Sequence, residues 1–195
     1  MNAVWQGGRR GAGQAGWWLR WYAAGLLAAC FGAALAQGNP SEAAVKGAYV
    51  YKFLPYVQWP ANALASGGSA LVVGVAGGDA VYAELQALIA GRRVDGRPVE
   101  VRRVRENDEI DDLHVLFVGR SPLETQVLQG WAKKLKGRPV LVVTDVADGL
   151  EHGAMLNLHL SEGRVRFGAS SAAAEQAGLR LSARLLALAD RVVAP

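Results

Sequence analysis

Three nearly unbroken apolar runs, Leu71–Ala76, Leu113–Val118 and Val140–Thr144, punctuate the chain. Each is short and bounded by turn-forming residues, as expected of a strand buried on both faces of a parallel sheet. Between them apolar residues return at helical spacing. Val81, Leu85, Leu88 and Ile89 mark a helix over Ala80–Ala90, after the break at Gly77-Gly78-Asp79. Ser121-Pro122-Leu123-Glu124 has the form of a capping box with proline at the first helical position. It predicts a helix that reaches about Leu135 and stops at Gly137. Asp95-Gly96 marks a turn, and Val99–Val104 alternates apolar with charged residues, the signature of a half-exposed strand. This alternation predicts an α/β fold: a layered sandwich with a largely parallel central sheet and flanking helices.

The two ends of this region differ from its middle. Ser41 is placed to cap a helix running from Glu42 to about Leu54, where Pro55 ends or kinks it. A loop with Pro60 and Gly67-Gly68 follows. Near the C-terminus, Met155–Leu160 and Arg164–Phe167 alternate strictly around Glu162-Gly163, a two-residue hairpin turn. That loop length sets Leu160 opposite Val165 and Leu158 opposite Phe167, with His159 facing Arg166 and Ser161 facing Arg164 on the other side. One face of this C-terminal β-hairpin is therefore oily and the other polar. Gly178 closes a short helix starting near Ser171, and Ser182 is expected to cap a last helix, Ala183–Val193, whose Leu185, Leu186, Leu188 and Ala189 cover the sheet.

The first thirty-six residues change how the composition is read. Arg9, Arg10 and Arg20 precede the apolar stretch Trp21–Leu35, which ends in Ala34-Leu35-Ala36, a small-x-small cleavage signal. This is the anatomy of a secretory signal peptide, residues 1–36, followed by a single domain over 37–195. Export to a periplasm is the expectation. An uncleaved anchor and acylation at Cys30 in Leu27-Ala28-Ala29-Cys30 are the alternatives. Without the leader, the 21 basic residues fall to 18 against 17 acidic ones, so the net charge of +4 falls to +1. No basic patch for nucleic acid remains. Cys30 is the single cysteine, so the mature domain has neither a disulfide nor thiol chemistry.

A search for chemistry returns little. There is no Gly-x-Ser-x-Gly elbow, no phosphate loop ending in Gly-Lys-Ser/Thr, and no His-Glu-x-x-His pair. His114, His152 and His159 do not stand at helical ligand spacing, and the acidic run Asp108, Glu109, Asp111, Asp112 lacks the spacing and glycine of a calcium loop. No enzyme, cofactor or metal is expected. Two other surfaces draw attention. Beyond the carboxyl ends of the predicted strands stand Gly78, Asp79, Arg120, Ser121, Thr144 and Asp145, where open α/β sheets bind ligands. The first helix holds the second: Tyr49, Tyr51, Phe53, Tyr56 and Trp59 lie within eleven residues, apolar almost all round. Such a helix is either buried between layers or covered by a partner.

Val45-Lys46-Gly47-Ala48-Tyr49, leading through Phe53 to Trp59-Pro60, resembles the opening of the YfiR family of periplasmic regulators. The closing block is similar too: Met155-Leu156-Asn157-Leu158, Gly163-Arg164-Val165-Arg166-Phe167, Ala177-Gly178-Leu179 and Leu181-Ser182-Ala183-Arg184-Leu185-Leu186. The resemblance implies a non-enzymatic periplasmic α/β domain that binds and represses the sensor portion of an inner-membrane signalling protein, a diguanylate cyclase or a sensor kinase. Release of that partner raises cyclic di-GMP and promotes biofilm formation. The resemblance also allows self-association as a homodimer. Redox input, which relatives take through cysteines, is not expected in a mature chain that has none.

The expected partner surface combines Lys46, Tyr49, Phe53 and Trp59 of the aromatic helix with Asn157, His159, Arg164 and Arg166 of the polar hairpin face. The alternative is a periplasmic small-ligand-binding protein that uses the strand-end crevice.

Overall fold

Buried strands need covers on both faces, and the arrangement of the helices follows from that requirement. The computed structural model describes residues 39–64 and 69–195. The expected leader, with Cys30 and Ala34-Leu35-Ala36, and the Gly67-Gly68 pair lie outside the described residues. From Pro40 onward the chain forms one compact unit.

Helix α1 (Glu42–Phe53) leads through a 3-10 turn at Leu54–Tyr56 into β1 (Val57–Gln58). Next come β2 (Leu71–Ala76), α2 (Asp79–Ile89), β3 (Arg93–Val94), β4 (Arg97–Arg103), β5 (Val115–Val118), α3 (Glu124–Lys134) and β6 (Leu141–Thr144). The C-terminal part is β7 (Leu156–Ser161), β8 (Arg164–Ser170), α4 (Ser171–Gln176), β9 (Arg180–Leu181), α5 (Ala183–Leu186) and β10 (Arg191–Val193).

Eight strands make one sheet in the order β10-β8-β7-β6-β5-β2-β4-β3, while β1 and β9 pair antiparallel beside it. The block β4, β2, β5, β6, β7 is parallel throughout, with antiparallel β3 at one flank and β8 at the other. From β2 the chain crosses by α2 to reach β4 on one side. From β5 it crosses by α3 to β6 on the other. The winding reverses between β2 and β5, the position that defines a topological switch point.

The apolar runs β2, β5 and β6 are buried along their whole length because each face has its own cover. Alternate residues Leu71, Val73, Val75, Val115, Phe117, Leu141 and Val143 join Val50, Phe53, Val81, Leu85 and Ile89 of α1 and α2 in one core. The intervening Val72, Leu116, Val118 and Val142 meet Leu128, Trp131 and Leu135 on and just beyond α3 in a second. The hairpin has the expected register, Leu160 against Val165, Leu158 against Phe167 and His159 against Arg166. Its turn residues Glu162 and Gly163 both have positive φ, 51° and 72°, as the tight turn requires. Its oily face is covered at the base, where Leu158 and Phe167 are buried, and opens at the tip, where Leu160 is 48% exposed, while Arg164 and Arg166 are exposed on the other face.

Two expectations are corrected. Ser121 does not cap α3. The helix starts at Glu124 without a side-chain cap, and the Ser121 carbonyl instead accepts a turn hydrogen bond from the Glu124 N–H at 3.1 Å. The last helix does not extend to Val193. Ser182 does cap it, accepting from the Leu185 N–H at 3.2 Å, but α5 ends at Leu186. Arg191–Val193 then pairs in parallel with Gly168–Ser170. The open edge of β8 and two β-branched valines favour a strand over another helical turn.

At the switch point the backbones meet. A Cβ built on Gly119 would lie 2.6 Å from Gly78 Cα, whereas one on Gly130, on the outer side of α3, meets nothing within 4 Å. Gly119→Ala is therefore expected to lower the unfolding free energy by about 2 kcal/mol. Gly130→Ala is expected to raise it by about 1 kcal/mol through helix propensity. Urea unfolding of the two variants checks both signs.

Candidate functional site

α1 carries few charges, and one of them is inside the protein. Lys46 is 4% exposed, and its Nζ donates to Asp145 Oδ2 at 2.5 Å. Glu42 Oε1, one turn earlier on α1, lies 2.5 Å from the same nitrogen. Asp145, 6% exposed, follows the last residue of β6. Its other oxygen accepts the Arg120 main-chain N–H at 3.0 Å, and its carbonyl accepts from Arg120 Nε at 3.0 Å. Lys46 and Arg120 thus converge on Asp145 and join α1 to the loops after β5 and β6. The Lys46 hydrogen bond holds the Glu42 carboxyl below its ordinary value against the opposing effect of desolvation.

The remaining strand-end residues are similarly committed. Thr144 is fully buried, and its hydroxyl donates to the Val118 carbonyl at 2.7 Å while accepting the Val146 N–H at 3.1 Å. Gly78 is the left-handed residue that starts α2 and packs on Gly119. Asp79 points outward to Arg103 Nε at 2.9 Å, and Ser121 is half-buried in the turn before α3. The structure therefore brings Arg120, Thr144 and Asp145 together with Lys46, and leaves Asp79 apart from them.

The residues assigned to a partner surface separate into interior and exterior. Phe53 is 2% exposed, its ring 5.0 Å from that of Phe167, and Lys46 is interior as described. Neither presents surface. Tyr49 is half-buried, within 6 Å of both phenylalanine rings, and its hydroxyl donates to the Val165 carbonyl at 3.2 Å. Trp59 is half-buried, with Nε1 donating to the His114 carbonyl at 3.3 Å. On the polar hairpin face, His159 meets Asp190 at 2.8 Å, Arg166 lies 3.8 Å from Glu162, and Arg164 is exposed. Asn157 Oδ1 is buried there without a hydrogen-bond partner.

The α1 aromatics contact the oily side of β8, whereas His159, Arg164 and Arg166 alternate onto the opposite side. A single continuous surface combining α1 with the polar hairpin face is not formed.

Sequence reasoning missed a groove of about 560 Å³ between α1, the β3–β4 turn and α5. The half-buried Tyr49, Tyr51 and Tyr56 and the exposed Leu188 form its accessible aromatic and apolar lining over the buried Phe53, Phe167 and Leu185, and Lys52, Arg93 and Asp95 also line it. Leu188 is 66% exposed at its border. The aromatic cluster in α1 was its signal. The contribution of Leu188 was hidden because the segment after α5 reads as continuing helix.

Among the described residues no group of three metal-binding side chains occurs, and no helix is long and apolar enough to cross a membrane. The acidic run is tied down by cations: Asp111 to Arg138, Asp112 to Arg102, and the Asp108 carbonyl to Lys134.

The fold and these sites define a doubly wound α/β domain whose strand-end charges bind one another. The chain belongs to the YfiR/HmsC-like family, whose sequence model matches residues 43–190. This is a family of periplasmic, non-catalytic regulatory proteins. No curated protein matches the chain. Among solved structures, a conserved domain protein from Vibrio cholerae O1 biovar El Tor aligns with a TM-score of 0.48 and 14% identity. That alignment covers 80% of this chain and 61% of the Vibrio chain, so the chain spans less than two thirds of its length.

The family opening now has a physical meaning. Lys46 reaches Asp145, Gly47 lets α1 approach Leu85 of α2, and Tyr49 closes on β8. Lys46→Met would leave the Asp145 carboxylate buried without its cation, an expected loss of about 3 kcal/mol or more. Lys46→Met combined with Asp145→Asn is expected to recover part of it, since the Asn oxygen still accepts the Arg120 N–H. Chemical denaturation of the single and double variants gives the comparison.

Proposed function

We propose that this chain is a non-enzymatic regulator, exported through its leader, that binds and represses the periplasmic sensor part of an inner-membrane diguanylate cyclase. The observation that carries this reading is the family match over residues 43–190. The docking surface we assign to it is the groove beside α1. The groove between α1 and α5 presents Tyr49, Tyr51 and Tyr56, the residue type in which interfaces concentrate binding energy, beside the exposed Leu188. Partner and groove meet through Tyr49, Tyr56 and Leu188, with Lys52 at the border. Arg164 and Arg166 form a separate charged patch on the far side of the hairpin, open to a second contact or to a second copy of the chain.

Two measurements test this reading. Tagged chain should capture, from detergent-solubilised inner membranes of its host, a protein carrying a cyclase domain. Deleting the gene should raise cellular cyclic di-GMP. Leu188→Glu with Lys52→Glu, both at exposed positions, should leave the melting temperature unchanged, abolish capture and fail to restore the low cyclic di-GMP level. Unchanged cyclic di-GMP on deletion would sink the proposed function. Full activity of the double variant would remove the groove from it.

A further inference from the structure

The groove between α1, the β3–β4 turn and α5 is apolar inside and basic along its banks. Lys52, near the end of α1, and Arg93, in β3, line it and are exposed. Arg92, also exposed, holds its guanidinium 5.6 Å from the centre of the Tyr51 ring, part of the same wall. The facing bank is α5. The Ala187 N–H donates to the Ala183 carbonyl at 2.9 Å and the Leu188 N–H to the Leu185 carbonyl at 3.1 Å, so the helical turn carries on through Leu188. Arg184, one turn before Leu188, shares its side of that turn and is exposed.

None of these four cations forms an ion pair among the described residues. Arg93 Nε donates at 2.8 Å to the Gly96 carbonyl, not to a carboxylate. Asp95 is the one acid among the described residues that line the groove. Residues 37–195 have 18 basic against 17 acidic side chains, so the domain is close to neutral and the excess of cations here is local. A recess of this shape admits a side chain that protrudes from a partner. A flat bilayer would rest on its rim and leave the tyrosines uncovered.

We infer that the groove selects an acidic segment of its protein partner, in which Asp and Glu flank an aromatic or large aliphatic anchor. The inference rests on the groove being the docking surface of the proposed regulator, and adds the chemistry of what docks there. The anchor buries against Tyr49, Tyr56 and Leu188 and supplies the affinity, because apolar burial in a recess holds a complex together once it has formed. The bank cations stay in water, where each exposed charge pair contributes little by itself. Their joint effect is on encounter: they draw acidic segments in, repel basic ones, and raise the association rate in a salt-dependent way.

Selection from a random peptide library displayed on phage, with the chain purified from its host as bait, tests this chemistry. Retained peptides are expected to be enriched in Asp and Glu around a Trp, Tyr, Phe or Leu. For such a peptide, Lys52→Glu with Arg184→Glu should slow association about tenfold and weaken its salt dependence. Leu188→Ala should instead speed dissociation and leave association unchanged. All three positions are exposed, and both variants should keep the melting temperature of the natural chain. No retained peptide, a neutral or basic consensus, or binding indifferent to the two variants would each overturn the inference. Binding to phosphatidylglycerol vesicles in place of any peptide would overturn it too, and would give the banks to a membrane. The cyclase reading is judged separately: unchanged cyclic di-GMP on gene deletion, beside selected acidic peptides, would sink that reading and leave the groove's preference standing.

Discussion

The fold turns on one buried pair of charges. Lys46 and Asp145 have both left water, and each accepts that penalty only because the other is present and the remaining hydrogen-bonding capacity is met by Glu42 and Arg120. Apolar contacts alone would let α1 slide or rotate on the sheet, because the helix is apolar over much of its circumference. The ion pair admits one register. With that register set, Gly47 faces Leu85, Tyr49 reaches Val165, and Phe53 enters the core beside Phe167. The 3-10 turn then delivers β1 to β9. The groove beside α1 is a product of the same placement, since its wall includes Tyr49 and Tyr51 of α1, which the core leaves half-buried.

Seen this way, the strand-end charges hold the domain together. Arg120, Thr144 and Asp145 occupy positions where doubly wound folds often meet a ligand, but here they bind main chain and one another. Gly78 and Gly119 bring backbone against backbone at the point where the strand order reverses. The architecture is shared with ligand-binding domains, while its chemistry at this point serves internal cohesion.

Much of the fold was legible in the sequence because local rules and tertiary demands agreed. The run Leu71–Ala76 is β2 to the residue, the hairpin register followed from a two-residue turn, and Ser41 accepts the Ala44 N–H as a cap should. Disagreement arose where a distant partner decided the outcome. Leu185 to Ala189 reads as helix, yet the segment leaves α5 early because β8 needs a neighbour. The place of Lys46 was not legible, since lysine is ordinarily a surface residue and its counter-ion lies 99 positions away. The groove failed to appear for the same reason: its walls come from α1, the β3–β4 turn and α5, segments that no periodicity connects.

That separation of 99 positions also sets an order of events. A chain made from its N-terminus presents α1 early, but Asp145 follows only after most of the sheet has been made. Until then an aromatic, half-committed helix has only Leu85 and its neighbours on α2 to lean on. The first helix of the described residues is thus among the last elements to be fastened. During that interval its tyrosines and phenylalanine are exposed to whatever chaperone or neighbouring chain is near. The yield of folded protein would then depend on how quickly β6 arrives, a kinetic demand invisible in the finished structure.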